Sequence, residues 1–479
     1  MKMNTKHLII VAGTILVLNG CVSTQKYTRP VMPVPSAFPT GEAYQNNKSL
    51  QNTLLVKDIT WQNVFPDQKL QKVIELGLTN NRDLRLAILN VEQARALYGI
   101  QEAQLYPSFA ASATGTRQRT PADIASSSSA INVKQYSVNL GITAWEIDLF
   151  GRIRSLKKQA LQQYLATEQV QHATQTALIS EIASVYLSLA ADQENLKLAR
   201  ATLETQQGVH DIIQQQFDQG LANKADLLRA QTQIDTAKAD IVRYTELVAQ
   251  DRNALNLLAG ASVPDNLLPA DWVSISAVKD IAPGLSSEVL LRRPDIMAAE
   301  YQLKAANAYI DVARAAFFPQ ISLTTLIGTA STELLHLFNS AQNTWTFAPQ
   351  VNMPIFDPRI GSAYKLSKAQ REIYLVQYEK TIQTAFREVA DALAVRGTVD
   401  QQLAVQESIV KSAQEIYAIS NQRYTNGIDS YLSVLDAQRS LYSAQQQLTS
   451  LRLAKLANQA KLYAVLGGDG ASQDNSIKK

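Results

Sequence analysis

Tyr136-Ser137-Val138-Asn139-Leu140-Gly141-Ile142-Thr143-Ala144 carries an apolar residue at every second position. Successive side chains of a strand point to opposite faces, so this run predicts a strand with one apolar and one polar or small face. Upstream, Phe109, Ala111 and Ala113 alternate with Ser108, Ser112 and Thr114. Downstream, Ile321 and Leu323 follow Pro319, and Trp345, Phe347, Val351 and Met353 alternate with Thr344, Thr346, Gln350 and Asn352. Four strands are expected, at about 107–117, 134–147, 319–329 and 343–355, each near the length a tilted strand needs to cross a bilayer. In hydrocarbon an open sheet edge leaves backbone groups unsatisfied, at several kcal/mol each. Four strands are too few to close a barrel, so the pattern calls for further copies of the chain: two would supply eight strands, three would supply twelve.

The strand pairs belong to an internal duplication. Asp83-Leu84 followed by Tyr106-Pro107-Ser108 returns as Asp295-Ile296 followed by Phe318-Pro319-Gln320. Phe217-x-x-Gly220 returns as Tyr424-x-x-Gly427, Ala230-Gln231 as Ala437-Gln438, and the halves end on Gly260 and Gly467. A period of about 210 residues is too long for a solenoid and marks two copies of one large unit.

Each copy also contains long helical stretches. Arg152 to Gln216 holds no Pro and a single Gly, Gly208, and predicts one helix of roughly 100 Å. Leu178, Ile182, Val185 and Leu189 repeat on one face of it. After Gly220, the stripe Leu227, Ala230, Ile234, Ala237, Ile241, Tyr244, Val248, Asp251, Leu255 and Leu258 keeps spacings of three and four, as coiled coils do. Val434, Ala437, Leu441, Ala444, Leu448 and Leu451 repeat the phase. Asp83–Tyr106 predicts a shorter helix that Pro107 ends. Two short helices end to end nearly match one long one in each copy, so they can lie alongside it. Trp61 to Leu78 is expected to be one short amphipathic helix.

The N-terminus is a processing signal. Lys2 and Lys6 precede an apolar run, Leu8 to Leu18, that is too short to span a bilayer as a helix. Cys21, the one cysteine of the 479 residues, follows it, so no intramolecular disulfide is possible. Leu18-Asn19-Gly20-Cys21 resembles a bacterial lipobox, which implies an N-acyl diglyceride lipid and palmitate on Cys21. Val22 in place of an aspartate after that cysteine implies sorting to the outer membrane. Basic and acidic residues nearly balance, 45 to 42, so no net field argues for nucleic acid. Mean hydropathy is ordinary, −0.12, and no later run approaches a membrane helix, which leaves strands as the means of spanning.

Residues 1–20 are thus read as signal peptide, 21–55 as a lipid-anchored extended tether, 56–260 and 261–467 as the two repeats, and 468–479 as a tail. Ser126 to Ser129 is read as an external loop. The hairpin tips are expected near 217–224 and 424–430.

Leu290-Leu291-Arg292-Arg293-Pro294-Asp295-Ile296, Ala299-Glu300 and Phe318-Pro319-Gln320-Ile321-Ser322-Leu323 resemble the TolC family of outer-membrane efflux channels. Arg423-Tyr424-x-x-Gly427 followed by Leu435-Asp436-Ala437-Gln438 is a second match, and with the lipobox the chain is most similar to the OprM-like lipoprotein branch. The resemblance implies a fold that joins a membrane β-barrel to a long α-helical coiled-coil barrel. In it a homotrimer completes a 12-strand barrel and a 12-helix periplasmic tunnel. It implies a passive exit duct of a tripartite drug efflux system, with a periplasmic membrane-fusion adaptor and an inner-membrane, proton-driven (RND-type) pump as partners. It places the protein in the bacterial outer membrane, extending into the periplasm. Gly220 and Gly427 would fall at the periplasmic tips, with Tyr424, Asp436, Asp226 and Arg423 at the gate. Ser433 stands where some relatives carry an aspartate, leaving Asp436 as the expected acidic ring, with Arg423 or Tyr424 available to tie neighbouring tips together. Asp226 could otherwise simply cap its helix.

Two alternatives are a same-fold channel for type I protein secretion or metal-ion efflux, and a non-conducting periplasmic adaptor lipoprotein. An adaptor would carry one helical hairpin and small β-domains instead of a tandem duplication with strand pairs. An enzyme is not expected. His7, His172, His210 and His336 lack metal-ligand spacing, and neither a phosphate loop nor a nucleophile elbow is present. No cofactor is expected beyond the lipid.

Overall fold

The computed structural model describes residues 27–44, 53–54, 60–124, 129–269, 272, 280–281 and 286–468. The signal peptide, Cys21, parts of the tether and of the Ser126–Ser129 loop, and all but the first residue of the tail lie outside the described residues. Described in chain order are β1 (Thr53–Leu54), α1 (Trp61–Val64), α2 (Gln68–Asn80), α3 (Arg82–Ala103), β2 (Phe109–Thr120), β3 (Ile131–Glu146), α4 (Arg152–Asp218) and α5 (Lys224–Ala259). Then come β4 (Asp280–Ile281), α6 (Pro294–Ala315), β5 (Gln320–Ser331), β6 (Asn343–Asn352), α7 (Pro358–Thr425) and α8 (Tyr431–Val465). The lengths recur: α3 and α6 both have 22 residues, α4 has 67 against 68 in α7, and α5 has 36 against 35 in α8.

Several boundaries differ from expectation. The helix expected from Trp61 to Leu78 is two helices, α1 and α2. Pro66 interrupts them, and Asp67 starts the second, its Oδ1 accepting from the amides of Lys69 at 2.8 Å and Leu70 at 2.9 Å. Strand β3 starts at Ile131, three residues before the expected position, because the register with β2 continues to its last pair, Thr120 with Ile131. Strand β6 ends at Asn352 rather than near 355, just ahead of Pro354, which has no amide to donate.

The chain divides into two compact units. The first comprises Met1–Val31, Asn90–Thr167 and Ala299–Tyr378 and contains the sheet. The sheet order is β2-β3-β5-β6, antiparallel throughout, with β2 and β6 at its edges. Register puts Ala111, Leu140, Ile327 and Trp345 in one row, and Phe109, Ile142, Thr325 and Phe347 in the next. The opposite face carries Ser112, Asn139, Gly328 and Thr344. The apolar face is bare: Leu140, Ile327, Trp345, Phe347 and Val351 are all exposed.

A β-bulge breaks the expected alternation between Ile142 and Trp145. Ala144 has a positive φ of 52°, and its amide donates to Thr324 Oγ1 at 3.1 Å. Ala144 therefore leaves the apolar row in which its spacing placed it. The extra residue returns Trp145, opposite Leu323, to the apolar face. Pro349 is tolerated because β6 is an edge strand.

The first unit also holds the start of the described tether. Arg29 donates to both carboxylate oxygens of Glu300, from Nη2 at 2.8 Å and Nε at 3.1 Å. The Tyr27 hydroxyl donates to the same carboxylate at 3.3 Å, and Lys304 pairs with it at 3.0 Å. Glu300 is 6% exposed, so burial opposes its charge, and the two cations outweigh that and lower its pKa.

The second unit comprises Met32–Leu89, Glu168–Ala298 and Glu379–Lys479. It too receives the tether, which is docked rather than free. Phe38 is buried and stacks on Phe386 at 4.8 Å, and Ser36 O accepts from the amide of Ser287 at 3.0 Å. The core of the unit includes Ile179, Ile182, Tyr186 and Leu189 of α4, Ile234, Tyr244 and Leu255 of α5, and Leu462 and Tyr463 of α8. Gly260 closes α5 in the left-handed conformation, φ 66°, with its Cα against the chain at Asn80.

Asp251 interrupts the apolar stripe of α5 and its carboxyl faces that of Asp192 of α4. Burial, then the Asp192 charge, pushes the Asp251 carboxyl up to about 6. Arg243 and Asn195 are the other groups acting on Asp192. A raised carboxyl pKa stabilises the fold most below the unfolded value near 4, and this contribution fades as pH rises through about 6. Asp251→Asn is accordingly expected to raise the unfolding temperature at neutral pH and to flatten its fall between about pH 4 and pH 7. Thermal unfolding of the detergent-solubilised protein across that range measures both.

Candidate functional site: the hairpin tips

All the residues singled out at the tips lie in the second unit, where α4 turns into α5 and α7 into α8. The two turns have the same backbone chemistry. Gly220 N–H donates to Phe217 O at 2.9 Å and Leu221 N–H to Gln216 O at 2.7 Å. Gly427 N–H donates to Tyr424 O and Ile428 N–H to Arg423 O, both at 2.9 Å. These are paired Schellman closures, each with glycine in the left-handed region, φ 76° and 71°. No atom lies within 4 Å of a Cβ built on either glycine, so each is there for its backbone angle alone.

Four helices share a small apolar core beneath the turns. Ile213 of α4, Ala230 of α5, and Tyr431, Val434 and Leu435 of α8 are buried together, with Val209, Leu227, Tyr417 and Tyr424 packed against them. The Tyr424 ring sits 5.5 Å from that of Tyr431, and its hydroxyl donates to Gln216 Oε1 at 3.0 Å. This bond joins α7 to α4 within one chain. Burial, then the Asp226 carboxylate, raises the Tyr424 pKa, which keeps the phenol protonated as a donor.

Arg423 is held in its own turn. Its Nε and Nη2 donate to the two oxygens of Asp429 at 2.6 and 3.2 Å. That fork lowers the Asp429 pKa and raises that of Arg423. Asp429 and Gln216 were not anticipated from sequence. The signal for Asp429 was available, since an acidic residue two positions after a hairpin glycine faces back toward the helix that ended there. For Gln216, more than 200 residues from its partner, there was none. Asp226 does not cap α5: Asn223 does, its Oδ1 accepting from the Asp226 amide at 2.9 Å, and the Asp226 carboxylate accepts from Arg229 at 2.9 Å. Asp436 is exposed, lining a groove of about 560 Å³ with Ser412, Ile416, Ser433 and Ser440, apart from the Tyr424–Gln216 contact. Among the described residues, no group of three or more His, Cys, Asp or Glu side chains could hold a metal ion, and no helix is long and apolar enough to cross a membrane.

An open antiparallel sheet with a bare apolar face, carried by a chain whose long helices end in glycine-turned tips, defines a class: outer-membrane exit channels. A family profile described as "Outer membrane efflux protein" matches residues 73–261 and 285–468, and the chain belongs to that family. It is 43% identical over 465 residues to the antibiotic efflux pump outer membrane protein ArpC and to the toluene efflux pump outer membrane protein TtgC, both of Pseudomonas putida. Each alignment covers 97% of this chain and 96% of the relative. The open-state structure of the Neisseria gonorrhoeae MtrE outer membrane channel superposes with a TM-score of 0.83 at 36% identity, over 94% of this chain and 98% of that one. The protein is therefore a TolC-family channel of the outer membrane that extends into the periplasm. It is the exit component of a tripartite efflux pump, alongside an adaptor and an inner-membrane pump. The family is one of channels, not of enzymes.

The glycines make a graded test. Gly220→Ala should cost roughly 1–2 kcal/mol, the left-handed penalty alone. Gly260→Ala should cost clearly more, because its Cβ would also lie 2.3 Å from Asn80 O. Equal shifts in unfolding temperature would contradict this account.

Proposed function

We propose that this channel is a homotrimer in which four strands per chain complete a 12-strand barrel and the helices line a periplasmic tunnel of twelve helical tracks. The observation that carries the reading is the open sheet: antiparallel, apolar on one face, with the outer edges of β2 and β6 unpaired among the described residues. The two tandem matches to the family support the reading of the helices and strands as two repeats of one unit.

The cargo is small toxic molecules, antibiotics and organic solvents among them. Support comes from the relatives named for antibiotic and toluene efflux. The inner-membrane partner is a proton-driven pump of the RND type. The channel conducts passively: the tip offers hydrogen-bonding and charged groups but no nucleophile–base pair.

Gating falls to the tips. Tyr424–Gln216 ties the second hairpin to the first, and Arg423–Asp429 keeps the second turn folded on itself. Both are polar contacts that water can replace, and of the two only Tyr424–Gln216 joins one hairpin to the other beside the shared apolar core. The exposed Asp436, once per chain, would present three carboxylates around a threefold axis and favour cations. Burial, and after it the Asp226 carboxylate, keeps the phenol of Tyr424 neutral, and the gate's acidic ring falls to Asp436. That the MtrE channel has a structure described as open supports a gate in this family.

The lipid anchor is Cys21. It lies six positions before Tyr27, at the Glu300 clamp, a stretch that can span at most about 20 Å. Glu300 lies 15 residues before the end of α6, about 22 Å along that helix, and β5 begins shortly after. The clamp thus fixes the tether on α6, the helix that leads into β5.

Deleting the gene should sensitise cells to dyes and antibiotics. Complementation with Tyr424→Ala/Asp436→Ala should restore efflux but admit large antibiotics and raise single-channel conductance; wild-type conductance in a planar bilayer would remove the gate assignment. Labelled palmitate should enter the wild type and not Cys21→Ser, and equal incorporation would place the acyl group elsewhere.

A further inference from the structure

The turn between β5 and β6 is apolar and rigid. Leu334, Leu335 and Phe338 are 61%, 93% and 76% exposed, whereas Leu337 is 4% exposed and anchors the turn. Backbone bonds from Leu337 N to Leu334 O at 3.3 Å, from Asn339 N to His336 O at 3.1 Å and from Ala330 N to Gln342 O at 3.0 Å hold it. His336 Nδ1 lies 3.1 Å from Glu333 Oε2. Three large apolar side chains are therefore displayed on a built knob.

Hydrocarbon does not suit it. On the sheet's apolar face, the row of Leu140, Ile327 and Trp345 is followed toward the turn by Val138, Thr329 and Asn343, and then by Tyr136 and Ser331, so that polar residues take over on β5 and β6, the strands that carry the turn. Four residues of strand separate Ile327 from Ser331, about 13 Å, so the knob lies beyond the apolar belt.

Strand direction names another occupant. With β2, β3, β5 and β6 alternating in direction, β2 and β6 run opposite ways. When two copies join edge to edge, β6 of one therefore lies antiparallel to β2 of the next. The first residue of β6, Asn343, follows the knob, and the last residue of β2, Thr120, leads into the turn Pro121–Ile124. Both turns lie at the same rim. Ile124, in that second turn, is 73% exposed.

We infer that Leu334, Leu335 and Phe338 of each copy pack on the Ile124 turn of the adjacent copy, forming an apolar staple that locks the outer rim of the barrel. The staple rests on the proposed oligomeric barrel. It places hydrophobic burial where the strands end and ladder pairing can no longer hold two copies together.

The test is a cysteine pair in full-length protein in outer-membrane vesicles. Ile124→Cys/Leu335→Cys treated with a short bismaleimide should run as covalent dimers and trimers on denaturing gels. Each single variant should remain monomeric, which also excludes linkage through Cys21. Lysine crosslinking in the same vesicles reports oligomer formation independently. Oligomers by lysine crosslinking without cysteine linkage would overturn the staple and leave the channel reading intact, while absence of both would remove the barrel as well. Leu335→Asp should lower the temperature at which the oligomer dissociates by several degrees. An unchanged temperature, or shielding of Leu335→Cys by lipid rather than by a neighbouring chain, would also overturn the staple.

Discussion

A strand edge with no partner is the constraint on which this protein turns. Each unsatisfied backbone group in hydrocarbon costs several kcal/mol, and β2 and β6 each present a row of them. Side-chain packing cannot offset that cost, because lipid already solvates apolar side chains as well as protein does. The sheet in the first unit is therefore a fraction of a structure. In the proposed barrel the edges are joined, so that its bare apolar face meets lipid and its polar opposite face meets an aqueous lumen. The bulge at Ala144 belongs to the same logic. It adds a residue where the strand nears its end and so keeps Trp145 on the lipid side.

The tips obey a different rule. There the backbone is satisfied locally by the two Schellman closures, so nothing obliges the hairpins to remain together. Their association rests on a small apolar core around Tyr431 and on single polar contacts such as Tyr424–Gln216. A net hydrogen bond contributes about 0.5–1.5 kcal/mol, far less than an open sheet edge costs. One chain thus combines a part that must not come apart with a part that can.

The architecture was legible in the sequence wherever a local pattern carried it. Period-two alternation exposed the strands, sustained three-and-four spacing exposed the helices, and Pro107, Pro319, Gly220 and Gly427 marked their ends. What failed to show was non-local. Pro66 was visible, but that Asp67 restarts a helix after it depends on a cap hydrogen bond. The tether resembled an unpacked linker because its few apolar residues are far apart in sequence; Phe38 nevertheless finds Phe386. Gln216 was missed for the same reason, since a side chain's partner between hairpins leaves no periodic trace, whereas Asp429, two positions after Gly427, was readable from its place in the turn. The tip turns were readable because glycine's freedom is local, whereas the side chains that could work the gate are paired by the tertiary fold.

Duplication explains how one chain supplies both behaviours. The two tips have identical backbone closures but unlike side chains. The first is capped by Asn223 and carries the Asp226–Arg229 pair within α5. In the second, Ser430 makes no cap bond from its side chain, and Arg423–Asp429 bridges from one side of the turn to the other. A turn whose helix is capped on its own keeps its shape whatever its neighbour does. A turn braced by a charge pair across it is sensitive to anything that offers either partner a better contact, because the pair is exposed and water competes for it. Two copies of one motif can therefore diverge in stiffness through a handful of surface residues while the helices and strands stay equivalent.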